Sequence, residues 1–208
     1  MQKTRILLTA FEPFGGESIN PALEIVRAIE PPSGVELHTL VVPVTFSGAA
    51  RPVLAELDAC DYDAVVMLGQ AGGRSAITVE RVAINIDDAS IPDNAGDQPA
   101  DRPILPEGPA AHFATLPIRR MIEAIQRAGV AASISNSAGT IVCNHLMYSV
   151  LHHLSGTPVR TGFIHVPWLP EQAQNRPGAP SMPLSQMLTG IAAALSALLP
   201  EQSANDLG

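Results

Sequence analysis

Apolar residues along the chain fall into short runs separated by amphipathic segments and turn clusters, and the alternation predicts strands and helices in sequence. Arg5 to Ala10 reads as a short apolar strand, followed by the turn-rich loop Phe11-Glu-Pro-Phe-Gly-Gly-Glu-Ser-Ile19. Asn20-Pro21 then offers an N-cap side chain and an N1 proline for a helix that runs to about Ala28, before Pro31-Pro32 stops it. A strand over residues 35–44, a helix from Thr45 or Ser47 to about Leu57 and a strand over residues 64–68 follow. Ile77 to Ile86 alternates apolar with polar residues and predicts a strand with one polar face.

Residues 87–113 show little periodicity and many Pro, Asp, Gly and Asn. A loop of that length inside a compact unit is a candidate lid or part of a site. A helix near 117–128, a strand at 132–136, a helix from about Gly139 to His153 and a strand over 160–166 complete the alternation. A second proline-rich stretch, 167–183, leads to a last helix between Met187 and Leu199, and Glu201 to Gly208 reads as a frayed tail. Strand and helix in turn predict an α/β fold whose parallel or mixed sheet is covered on both faces. No repeat and no linker divides the 208 residues, so one domain over 1–208 is expected.

Composition narrows the function classes. Aromatic residues make up only 4% of the chain, so the core must be built from Val, Ile, Leu and Ala. The net charge is -8 and only twelve Lys and Arg are present, which argues against nucleic acid as a partner. No apolar run reaches membrane-spanning length, and the N-terminal Ile6-Leu7-Leu8 is too short for a signal peptide. Two cysteines, Cys60 and Cys143, make neither a disulfide framework nor a zinc spacing, so a reduced, cytoplasmic setting and no metal are expected.

The cysteines differ in setting. Cys143 falls in the first turn or two of a predicted helix, after the turn Ser137-Ala-Gly139, where free N–H groups and the helix dipole are expected to favour a thiolate. A lone cysteine is also commonly a small buried apolar residue, and Cys60 has only that reading. Of the six histidines, His145 lies two positions from Cys143 on a helix, so their side chains diverge by about 200°. His165, at the carboxyl end of a strand, is the better partner, because such strand ends gather active-site groups in α/β sheets. His152 and His153 lie near a helix end, and His38 and His112 carry no signal. Glu80 stands on a strand in a chain with few charges, a place that means either a surface or a site. Gly69-Gln-Ala-Gly-Gly-Arg74 follows a strand but lacks the nucleotide-binding glycine patterns.

Taken as a set, Phe11-Glu-Pro-Phe-Gly-Gly16 with Asn20-Pro21, Leu68-Gly-Gln-Ala-Gly-Gly-Arg74, Glu80-Arg-Val-Ala-Ile-Asn85, Ile91-Pro-Asp-Asn94, Ser137-Ala-Gly-Thr-Ile-Val-Cys-Asn-His145 and Gly162-Phe-Ile-His-Val-Pro167 closely resemble the pyroglutamyl peptidase type I family of cysteine peptidases. The resemblance spans nearly the whole chain. It implies a three-layer α/β/α sandwich around a mixed, mostly parallel central sheet, a Cys143, His165 and Glu80 site, and release of N-terminal pyroglutamyl residues from peptides. It also implies a cytosolic homotetramer with no metal or cofactor. Relatives often carry an arginine before Ile-Pro-Asp-Asn, where this chain reads Asp87-Asp-Ala-Ser90.

A neutral five-membered lactam calls for an apolar pocket with a few backbone partners. Phe11 and Phe14 are candidate walls or loop anchors, Gln70 and Ala71 candidate sources of backbone groups, and Val142 a further candidate beside Cys143. Two other readings stand beside this one: a nucleoside phosphorylase-like enzyme, and a non-catalytic oligomeric protein that binds a lactam or peptide.

Overall fold

The computed structural model describes residues 3–200, and the expected tail from Glu201 to Gly208 lies outside the described residues. Six strands form the main sheet: β1 (Thr4–Phe11), β2 (Val35–Val42), β3 (Ala64–Gln70), β4 (Ile77–Glu80), β7 (Ala132–Ser135) and β8 (Arg160–Val166). Their order is β2-β1-β3-β8-β4-β7. The first four run parallel, β4 is antiparallel to β8, and β7 is parallel to β4.

Alternation along β1 fixes the layers. Ile6, Leu8 and Ala10 enter a core with the helices α1 (Pro21–Ala28), α3 (Ile118–Arg127) and α6 (Leu184–Ser196), whereas Leu7 and Phe11 enter a second core on the other face. That second core holds α2 (Ala50–Ala59) and α4 (Val142–His153). The result is the α/β/α sandwich with a mixed, mainly parallel sheet. Among the described residues no helix is long and apolar enough to cross a membrane.

Several boundaries depart from the sequence reading for identifiable reasons. The expected strand over 77–86 breaks in two, because Glu80 and Arg81 are consecutive polar residues that interrupt the period of two. The second piece, β5 (Val82–Ile84), leaves the main sheet and pairs antiparallel with β6 (Ala111–Phe113), a strand too short to show a pattern in the long loop. Helix α2 starts at Ala50 rather than Thr45 or Ser47, and a separate turn precedes it in which the Gly48 and Ala49 N–H groups both donate to the Thr45 carbonyl. Helix α4 starts at Val142 rather than Gly139, where the preceding chain is held by Gly139 N–H to Ser137 Oγ and Thr140 Oγ1 to the Asp88 carbonyl. Helix α1 matches its expected span, with Asn20 Oδ1 accepting from Ala22 N–H at 3.0 Å. The stretch 167–183 holds one short helix, α5 (Pro170–Ala173).

Candidate active site

On β4 the alternation sends Ile77 and Val79 into the core with α1, α3 and α6, so Thr78 and Glu80 project from the opposite face. Phe163 and His165 of β8 lie on that same side, with ring centroids 4.7 Å apart. Glu80 is fully buried, and His165 is 4% exposed. His165 Nδ1 lies 2.7 Å from Glu80 Oε1. A carboxylate can only accept, so Nδ1 carries the proton and Nε2 keeps its lone pair free to act as a base.

Arg74 completes this group. Its Nη1 donates to Glu80 Oε1 at 2.7 Å and also to the Thr78 hydroxyl. Glu80 Oε1 therefore takes two hydrogen bonds, while Oε2 is buried without one. Burial alone would raise the Glu80 carboxyl, but the hydrogen bond and charge of His165, aided by Ser135 and Arg74, outweigh it and hold the carboxyl below its ordinary value. Burial, with the Arg74 charge, holds His165 below the ordinary histidine value despite the opposing pull of Glu80. The resting pair is thus a carboxylate and a neutral imidazole.

Cys143 is the second residue of α4 and keeps partial exposure. It reaches the pair by way of Gly69, whose register partner on β8 is His165. A Cβ at Gly69 would lie 2.7 Å from the Phe163 ring and 3.2 Å from Cys143 Sγ, so only a glycine lets the thiol settle against β3 beside His165. No hydrogen bond joins the thiol to His165 among the described residues. The N–H groups of Val142, Cys143 and Asn144 have no carbonyl partner, and the first bond of this helix is His145 N–H to the Ile141 carbonyl. The expectation that this helix start lowers the thiol pKa is corrected: desolvation by the protein around Sγ, with the Glu80 charge, pushes the thiol up to about 12. Arg74 and the Cys143 N–H oppose the shift without overcoming it. Cys60, at the end of α2, packs against the second core, as Cys143 does, but does not line the cavity.

The two residues after Cys143 act as anchors. Asn144 is fully buried and clamps β5, accepting from Ile84 N–H at 2.9 Å and donating to the Ile84 and Ile86 carbonyls at 2.8 and 3.0 Å. His145 Nδ1 meets buried Asp87 at 2.9 Å, tying α4 to the start of the loop 87–113.

A cavity of about 160 Å³ opens at Cys143. Phe11, Phe14, Gln70 and Val142, singled out in the sequence, all line it. Ala71 does not, and its N–H is committed to the Val166 carbonyl at 2.9 Å, so the expectation of a backbone donor there is corrected. The sequence reading missed Phe46, Asn20 and Ile91, which are also part of the wall. Asp93 also lines the cavity, yet both its oxygens are engaged by backbone N–H groups: Oδ2 by Phe46, Oδ1 by Ala95 and Asp97. Those bonds hold its carboxyl below the ordinary value against the opposing effect of burial. Ser90, where relatives often have arginine, is exposed between the lining residues Ala89 and Ile91. The arginine that reaches the buried pair is Arg74, which no local pattern distinguished.

The stretch 167–183 packs over the carboxyl ends of β3 and β8. Trp168 fills the place a side chain at Gly72 would need, since a Cβ there would lie 2.1 Å from the indole. Arg176 stacks on Trp168 at 4.5 Å and pairs with Glu17 of the first loop.

Residues 4–201 match the family model described as pyroglutamyl peptidase. A pyrrolidone-carboxylate peptidase 1 from Caldanaerobacter subterraneus subsp. tengcongensis is 50% identical over 198 residues, covering 94% of this chain and 98% of that one. A pyrrolidone-carboxylate peptidase from Erwinia tasmaniensis is 50% identical over 194 residues, 92% of this chain and 91% of its own length. The crystal structure of pyroglutamyl peptidase I from Bacillus amyloliquefaciens superposes with a TM-score of 0.91 at 39% identity, covering 96% and 97% of the two chains.

Proposed function

The chain belongs to the pyroglutamyl peptidase family, and we propose that it is a cysteine peptidase that removes N-terminal pyroglutamyl residues from peptides, with Cys143 as nucleophile, His165 as base and acid, and Glu80 orienting His165. One observation carries the assignment of roles: a buried His165–Glu80 pair adjoins Gly69, against which rests a cysteine thiol that lines a small cavity.

Because the resting thiol is protonated, attack begins with proton transfer from Cys143 Sγ toward His165 Nε2. The absence of a hydrogen bond between them at rest means that substrate binding must bring the two groups into line. The sulfur adds to the pyroglutamyl carbonyl, and the free N–H groups at the start of α4 receive the oxyanion. Collapse breaks the carbon–nitrogen bond, His165 gives its proton to the departing amine, and a thioester remains. His165 then takes a proton from water, which attacks the thioester and releases pyroglutamate and the thiol. Glu80 holds Nδ1–H throughout and stabilises the imidazolium that forms.

The cavity fits the leaving acyl group. Drug-sized ligands fill about 300 Å³ or more, so a space of about 160 Å³ suits a single small ring. Its walls are mainly apolar, and three backbone N–H groups engage the Asp93 carboxylate. A mainly apolar wall suits a neutral lactam, which has no charge to desolvate on entry. The two other readings, phosphorolysis of nucleosides and binding without turnover, draw no support from the relatives. The proposal extends to one catalytic unit over 1–208 acting in the cytoplasm as a homotetramer, an assembly that would cover Phe113, which is 70% exposed on β6.

Release of a fluorophore from a pyroglutamyl amide tests the function. Rapid release that is lost in Cys143→Ala, with folding unchanged by circular dichroism, is the expected result. Full activity in that variant overturns the assignment. Light scattering that reads a mass other than four chains overturns the tetramer alone.

A further inference from the structure

Gln172 lies on the short α5 and is 4% exposed. Its amide contacts three parts of the molecule. Oε1 accepts from Leu169 N–H at 3.1 Å, while Nε2 donates to the Ile19 carbonyl at 3.4 Å and to Gln70 Oε1 at 2.8 Å. Two of these partners are backbone groups that cannot change role: an N–H only donates and a carbonyl only accepts. They fix which end of the Gln172 amide faces which way.

The constraint passes to Gln70. Since Gln172 presents a donor, Gln70 must answer with its oxygen, and its own amide nitrogen is turned away from Gln172. Among the described residues that nitrogen has no protein partner; it is not a buried unpaired atom, and it belongs to a residue lining the cavity. We propose that Gln172 is a positioning residue that sets the polarity of the substrate pocket: by holding Gln70 Oε1 it turns the Gln70 NH₂ into the cavity, so that the site selects a ring carrying a hydrogen-bond acceptor there, the lactam carbonyl. This rests on the reading of the cavity as the pyroglutamyl pocket.

Such a relay costs a mismatched ligand more than it gives a matched one, because a donor facing a donor leaves both unpaired in a confined space. It also explains why a side chain on a separate, proline-rich stretch is buried at the end of β3.

The test compares Gln172→Glu with Gln172→Ala. The introduced carboxylate keeps the bond from Leu169 N–H but faces Gln70 with an acceptor, so the Gln70 amide rotates and presents its oxygen to the cavity. Alanine merely releases Gln70. The polarity relay therefore predicts that KM for a pyroglutamyl amide rises about threefold in Gln172→Ala and about tenfold in Gln172→Glu, with kcat changed by less than about threefold in both. Inhibition by 2-pyrrolidone should weaken in the same order. A residue that only caps α5 predicts the reverse order, since glutamate preserves the cap and alanine removes it; that order, or unchanged KM in both variants, overturns the proposal. Should Gln172→Glu not fold, Gln70→Glu keeps the Gln172 bond and replaces the cavity-facing NH₂ donor by a carboxylate oxygen, an acceptor that also carries charge. It is expected to weaken 2-pyrrolidone more than Gln70→Ala does, and the opposite order again overturns the proposal. Wild-type turnover of pyroglutamyl amides with equal KM in all variants leaves the enzymatic reading intact, whereas a wild type without turnover overturns that reading and this proposal with it.

Discussion

Two of the histidine–carboxylate pairs among the described residues have a buried acid, and their local geometry is similar. His165 Nδ1 meets Glu80 at 2.7 Å, and His145 Nδ1 meets Asp87 at 2.9 Å. Both acids are almost completely buried. What separates the pairs is what stands at the other side of each imidazole. His165 lies on a strand next to the glycine against which rests Cys143, a residue that lines the cavity. His145 turns to the opposite side of α4, where its ring meets Phe46 edge-on at 5.9 Å, and its acid lies 3.8 Å from Arg102. In the proposed mechanism the first pair moves a proton, whereas the second ties α4 to the loop that supplies Ile91 and Asp93 to the cavity. A histidine bonded to a buried acid is thus no mark of catalysis until a nucleophile and a space for substrate adjoin it.

Removing the acid from each pair should break the similarity most visibly. Glu80→Gln leaves a neutral amide that can select the wrong His165 tautomer, and kcat/KM on a pyroglutamyl amide should fall by about 10³-fold or more with little change in melting temperature. Asp87→Asn should do the reverse, costing about 1–3 kcal/mol in denaturant unfolding while kcat/KM stays within about tenfold.

Arg74 sharpens the comparison by a smaller effect. It binds Glu80 Oε1, and its charge disfavours the His165 imidazolium. In Arg74→Gln that repulsion is lost, so the His165 pKa rises and the acid limb of kcat/KM moves to higher pH. The lost charged hydrogen bond should also reduce kcat about tenfold. An unmoved limb contradicts this role.

The wild-type acid limb is a finer test. His165 must be neutral to accept the thiol proton, and its pKa is held below the ordinary value by burial, so the limb should fall below about pH 6.5. At the other end of the range, the Cys143 thiol is pushed up to about 12, so alkylation by iodoacetamide in the absence of substrate should keep accelerating beyond pH 9 without a plateau. A plateau near neutral pH would mean that the resting thiol is already ionised.

Much of this arrangement was legible in the sequence where the signal is local. Asn20-Pro21 marked the start of α1 because capping chemistry acts within a few residues. The alternation Ile77, Val79 against Thr78, Glu80 told which side chains leave the strand together, and Phe11, Phe14, Gln70 and Val142 share the cavity with Cys143 as their motifs suggested. Partners brought in by distant chain were not legible. Gln172 reaches Gln70 across 102 positions, and Asp93 takes the Phe46 N–H from 47 positions away. The helix-dipole argument for Cys143 failed for a related reason: desolvation and the Glu80 charge come from residues that only the folded sheet places around Sγ. Strand β6 and helix α5, of three and four residues, are too short to show periodicity at all.

The comparison of the two pairs comes down to one experiment, the turnover of a pyroglutamyl amide by His165→Gln and His145→Gln measured side by side. The account predicts that kcat/KM falls by about 10³-fold or more in the first and stays within about tenfold of wild type in the second. Equal losses in the two variants, or a larger loss at His145, would contradict it.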